Sequence, residues 1–149
     1  MKKKLSLLLL LFPLTGMTAA IDKNHSDIYQ QYYAKMVGNV CNNLTNKDSE
    51  MGIYQCATLM KKDADAKLTA RINEINQELS QLSDDDDKEF IKSFKEDQLQ
   101  WERYRNKRCK LRVANLEQDS PQYISETFLC QAVESYRRIE VLIDEPDRP

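Results

Sequence analysis

Eight apolar residues, Ala57, Met60, Ala64, Leu68, Ile72, Ile75, Leu79 and Leu82, follow one another at steps of three and four through the middle of the chain. At 3.6 residues per turn this spacing lines them up on one stripe of a helix about seven turns long, a stripe that has to be covered by other elements. The breakers are consistent with this. The chain has only three glycines, and two of its four prolines fall in the last four residues, so the interior reads as helix throughout.

Three further helices follow from the same reasoning. Ile28, Tyr32, Met36 and Val40 recur every four residues, with Tyr29, Tyr33, Val37 and Cys41 beside them, and predict a first amphipathic helix of about 14 residues. A polar connection, Asn42 to Glu50, separates it from the long seam. The seam ends at Ser83-Asp84-Asp85-Asp86-Asp87, whose short polar side chains suit a turn and whose charge favours a helix start. Ile91, Phe94, Trp101 and Leu111 mark a third helix to about Val113. Ser120-Pro121 suits a helix start, and Ile124, Phe128, Ala132, Tyr136, Ile139 and Ile143 form a fourth seam. The expected fold is all-α: a small disulfide-stapled bundle with helices two and three as a long central antiparallel hairpin.

Disulfides enter through the start of the chain. Met1-Lys2-Lys3-Lys4, an apolar stretch from Leu5 to Leu14, and a small-residue segment ending at Ala19-Ala20 have the layout of a secretory signal peptide. The stretch is too short to span a bilayer, and no later segment offers a membrane span. Residues 1–20 are therefore expected to be removed near Ala20, leaving a periplasmic or secreted domain over 21–145 and a loose tail over 146–149.

In such a compartment the four cysteines, Cys41, Cys56, Cys109 and Cys130, predict two disulfides. Cys56 and Cys109 should lie at the same end of the hairpin, which favours Cys56–Cys109 with Cys41–Cys130. Cys41–Cys56 with Cys109–Cys130 stays open, because all four fall near that end.

Loss of three lysines with the leader takes the formal charge from -2 to -5. An acidic surface disfavours nucleic acid and attracts basic partners. Metal and cofactor chemistry are not expected. The cysteines lack zinc-knuckle spacing, the single histidine is His25, and contiguous aspartates do not match the alternate ligands of a calcium loop. No nucleophile–base pair or C-x-x-C motif stands out, so no catalytic residue is assigned.

Gln98, Trp101, Arg105 and Cys109 share one face of the third helix. Polar heads on a buried face need partners, and the expectation is that Arg105 and Gln98 bond to backbone carbonyls or to an acidic neighbour such as Asp65 while Trp101 fills the core. Cys56-Ala57, Ala64-Asp65 and Leu68, then Phe94, Gln98-x-x-Trp101-x-x-x-Arg105-x-x-x-Cys109, then Cys130 with Arg138 and Leu142, resemble the lysozyme inhibitor LprI-like N-terminal domain family. The resemblance runs from Cys41 to about Leu142.

It implies a helical, disulfide-linked, exported binding protein that is not an enzyme, with a lysozyme as the first candidate partner. Asp65, Leu68, Gln98, Trp101, Arg105 and Arg138 are then its structural motif residues. The dense charge of Asp84, Asp85, Asp86 and Asp87 is a candidate contact for a basic partner, beside its simpler reading as a solvated turn and helix cap. Strongly basic c-type lysozymes fit that charge, and their clefts hold paired carboxylates that a basic side chain could reach. The alternatives are an immunity or adaptor protein for another envelope protein, and a structural envelope component. The sequence assigns no oligomeric state.

Overall fold

The computed structural model describes residues 28–82 and 85–143, with the side chains of Asp85 and Asp86 excepted. Residues 1–27, which hold the expected leader and His25, together with Ser83 and Asp84, and residues 144–149, which hold the expected tail, lie outside the described residues. Four helices follow in order: α1 (Ile28–Val37), α2 (Glu50–Leu79), α3 (Asp85–Arg112) and α4 (Pro121–Val141). No strand occurs among the described residues, so the all-α, disulfide-linked fold is as expected.

Local chemistry sets the helix ends. Ser49 caps α2 by accepting from the Gly52 N–H at 3.0 Å, and Ser120 caps α4 by accepting from the Tyr123 N–H at 3.1 Å. Pro121 occupies the first turn of α4, where its missing N–H costs nothing. α1 is shorter than its periodicity suggests. Turn bonds from the Asn39 and Val40 N–H groups to the Met36 carbonyl close it at Gly38, and the Asn39 amide donates back to the Lys35 carbonyl.

The long seam packs as its spacing requires. Ala57, Met60, Ala64, Leu68, Ile75 and Leu79 are all buried. Their principal cover is α4, which runs parallel to α2: Met60 meets Tyr136, and Arg71 donates to the carbonyl of Leu142 at 2.8 Å. α3 runs antiparallel to both, with Asp65 near Arg105 and Leu79 near Ile91.

α4 is therefore the central helix, in contact with each of the other three. Its five consecutive residues Ala132 to Tyr136 are all buried, as are Leu129 and Cys130. A helix that meets three neighbours keeps little solvent face along its middle, which is why its core reaches beyond the predicted stripe. On α3 the expected marker Leu111 is 67% exposed, and Val113 is buried in its place. Cys109 points inward, and a residue two positions along a helix points nearly the opposite way.

The disulfides are Cys41–Cys56 and Cys109–Cys130, with Cα separations of 5.4 and 5.5 Å. This corrects the favoured pairing of Cys56 with Cys109 and Cys41 with Cys130. All four cysteines are buried in one cluster, as their common end implies. α4 packs against both long helices, however, so Cys109 meets α4 and not α2. The chain after α1 folds back onto the first turn of α2, delivering Cys41 to Cys56. Gly52 permits that approach: a Cβ there would stand 2.2 Å from the Asn46 carbonyl oxygen. Asn46 itself takes a left-handed φ of 57°.

Candidate functional site

Two polar clusters and one groove gather the residues that could carry function. The first cluster joins α2, α3 and α4. Arg105 donates to the Ser135 hydroxyl at 3.1 Å and lies 3.6 Å from Asp65, which also pairs with Lys61 one turn earlier. Ser135 is fully buried, so Arg105 is what satisfies its oxygen. Arg138 pairs with Asp97 and donates from Nε to the side-chain amide oxygen (Oε1) of Gln98 at 3.4 Å. Trp101 lies between the two guanidiniums, 5.0 Å from that of Arg105 and 5.8 Å from that of Arg138. Such cation–π contacts contribute about 0.5–2 kcal/mol each, more as water is excluded.

The structure thus brings Asp65, Gln98, Trp101, Arg105 and Arg138 together, with Leu68 buried nearby in the second apolar cluster. Gln98 Nε2 and Arg105 Nε are buried without an acceptor among the described residues. Each such donor costs about 1–3 kcal/mol, so the cluster is not an optimised stabiliser.

Sequence reasoning missed the second cluster. Glu134 is almost fully buried on the central helix. It accepts from the Tyr29 hydroxyl at 2.6 Å, from Arg108 at 2.9 Å and from Arg137 at 3.3 Å. Arg108 also donates to the Tyr29 oxygen at 2.9 Å, and the Arg112 guanidinium stacks 4.1 Å from the Tyr29 ring while pairing with Glu126 at 3.0 Å. Burial, then the bond to Glu134, raises the pKa of Tyr29 above its ordinary 10.0.

Tyr29 also lines a groove of about 680 Å³, together with Tyr104, Lys107, Arg108, Leu111 and Arg112. Tyr104 and Leu111 stand exposed on its rim. From Arg103 to Arg112 the chain carries six basic residues and no acidic one, although the whole sequence is net acidic. That charge run is a sequence signal that periodicity analysis alone passes over.

The acidic run at the opposite end of α3 does not present four carboxylates, because Asp87 is buried. Among the described residues no group of His, Cys, Asp and Glu is arranged to hold a metal ion. No helix among them is long and apolar enough to cross a membrane.

Fold and clusters together define a class of protein: a helical bundle locked at one end by two disulfides, with a partly buried Trp–Arg cluster and a basic groove on its surface. Residues 41–142 match the family model for the lysozyme inhibitor LprI, and the chain belongs to that family. Nothing among curated proteins or solved structures matches it. The matched span holds both disulfides and α2, α3 and α4 in full, so both clusters fall within it apart from Tyr29.

Proposed function

We propose that the chain is an exported, non-enzymatic protein that inhibits a lysozyme by binding it. The observation that carries this reading is the family match across the whole disulfide-linked core. Two buried disulfides fit an oxidising compartment, as does the layout of residues 1–20.

Binding without catalysis accords with the polar groups seen. The buried carboxylate of Glu134 is committed to two arginines and a tyrosine, and Asp65 to Lys61 and Arg105. Neither is free to serve a substrate, since each is already engaged by cationic side chains. With Asp87 turned inward, long-range attraction of a basic lysozyme rests on Asp84, Asp85 and Asp86 and on the net charge.

The test is a lysis assay with the purified, oxidised mature protein titrated against c-type, g-type and i-type lysozymes, with a reduced sample as control. Stoichiometric inhibition of one class is the expected result. Absence of inhibition of every class at micromolar protein would overturn the reading and direct attention to co-purifying envelope proteins.

A further inference from the structure

We infer that the groove on the C-terminal half of α3 is the docking face, and that its occupant is the carboxylate-lined cleft of the inhibited lysozyme. This rests on the function proposed above and adds the surface and the contacting residues.

Charge balance is the first support. Within Arg103–Arg112, three arginines already have carboxylate partners: Arg105 with Asp65, Arg108 with Glu134, and Arg112 with Glu126. Glu134 is shared with Arg137, so one carboxylate serves two guanidiniums. Arg103, Lys107 and Lys110 have no acidic partner among the described residues. The helix thus offers a local surplus of positive charge, which suits the paired Asp/Glu side chains of a glycosidase cleft.

The composition is the second support. Tyr104 is 52% exposed and Leu111 67% exposed, one on each side of Lys107. Positions 104, 107, 108 and 111 recur at helical spacing, so these side chains share one face. Aromatic, arginine and apolar side chains in one patch are the composition of a protein-binding hot spot, with the charges giving register and the apolar groups excluding water. A polyphosphate or membrane surface would meet the same cations, but the net acidic charge of the chain opposes an extended polyanion.

The third support is rigidity. Cys109 lies within the basic segment and is bonded to Cys130 on the central helix, while Tyr29 is pinned by Glu134 and Arg108. A backbone segment held by a covalent link, with Tyr29 and Arg108 fixed by a buried cluster, limits the entropy lost on docking.

The experiment compares the oxidised mature protein with Lys107→Glu/Lys110→Glu and with Tyr104→Ala, measuring the inhibition constant and Kd for the lysozyme that the wild type inhibits. All three residues are exposed, and thermal melts check that the fold is kept. The sign of the charge effect is decisive. Against a basic lysozyme, added negative charge strengthens binding if only overall attraction matters, whereas it weakens binding if the groove meets cleft carboxylates.

A rise of at least tenfold in Kd for the double variant, a smaller rise for Tyr104→Ala, and competition by tri-N-acetylchitotriose in the cleft are expected. Full inhibition by both variants, or tighter binding by the double variant, would overturn the docking face and leave the inhibitor reading intact. If the wild type inhibits no lysozyme, both fall. In that case binding of the wild type, but not the double variant, to vesicles rich in anionic lipid would reassign the face to phosphate headgroups.

Discussion

At the end where α2 begins and α3 finishes, two disulfides, a buried carboxylate and four tyrosines, Tyr29, Tyr32, Tyr33 and Tyr136, gather at the central helix. At the opposite end Leu68, Ile75, Leu79, Phe94 and Leu142 pack with no covalent link. Polar bonds there include those that Arg71 donates to the Leu142 and Ile143 carbonyls at 2.8 and 3.2 Å. Buried polar groups are costly unless fully satisfied. The heavily bonded carboxylate of Glu134 sits beside the crosslinks, whereas apolar contact dominates the uncrosslinked end, where Asp87 is also buried. The candidate docking groove lies at the crosslinked end.

Reducing both disulfides is the strongest way to break the contrast. At about 2–4 kcal/mol for each link, the loss should be roughly 4–8 kcal/mol, a large share of a small domain's stability. Urea unfolding with and without reductant measures it. Unchanged midpoints would mean that the crosslinked end is as apolar in its energetics as the other.

Next in size is Ile75→Ala at the uncrosslinked end. Ile75 is fully buried, and truncation should cost about 2–5 kcal/mol through lost burial and the cavity left behind. Hydrogen exchange should show protection lost first around Leu79 and Phe94, with the amides near Cys130 protected longest. Uniform loss across the bundle would show that the two ends unfold as one unit.

A smaller effect separates the polar anchors. Glu134→Gln keeps the shape but removes the charge shared by Arg108 and Arg137, and should cost about 1–3 kcal/mol. Arg71→Ala, with its carbonyl acceptors nearer solvent, should cost about 1 kcal/mol. Equal losses from the two in chemical denaturation would erase the proposed difference in polar burial.

The smallest effect is alkaline. Tyr32 is pushed up to about 12 by burial and by its bond to Glu140; Tyr136, by burial and its bond to Asp63, and Tyr29 are also raised. These hydroxyls keep their protons to higher pH in the fold than in the unfolded chain, where the ordinary value is 10.0. Their contribution is therefore complete below about pH 10 and is lost as pH rises through the folded values. Melts between pH 8 and 12, with Tyr32→Phe as comparison, should show the wild type declining more steeply above pH 10. Equal slopes would remove Tyr32 from the account.

α2 was legible in the sequence because one of its faces is buried and the other is not, and that asymmetry is what periodicity records. α4 was only half legible. Its middle is covered by three neighbouring helices, and Glu134 and Ser135 hold core positions through bonds to arginines on α3. A polar residue made tolerable by a partner 26 or 30 positions away looks, in sequence, like any surface residue. Leu111 shows the converse, an apolar side chain on the outward face. The disulfide pairing was not legible, because it depends on which helix lies between the other two. Tyr29 was read as apolar periodicity, and its bond to Glu134 needed the fold.

The order of the bridges has a consequence for how such a chain matures. First pairs with second and third with fourth, over separations of 15 and 21 residues, so neither loop encloses a cysteine of the other. For a chain threaded through a channel from its N-terminus and oxidised as it emerges, Cys41 meets Cys56 before Cys109 has left the channel. An oxidase that joins each cysteine to the next one exposed makes the native set without reshuffling. The short separations also keep the entropic cost of each closure low. Maturation of this protein then requires an oxidant and imposes no demand on a disulfide isomerase.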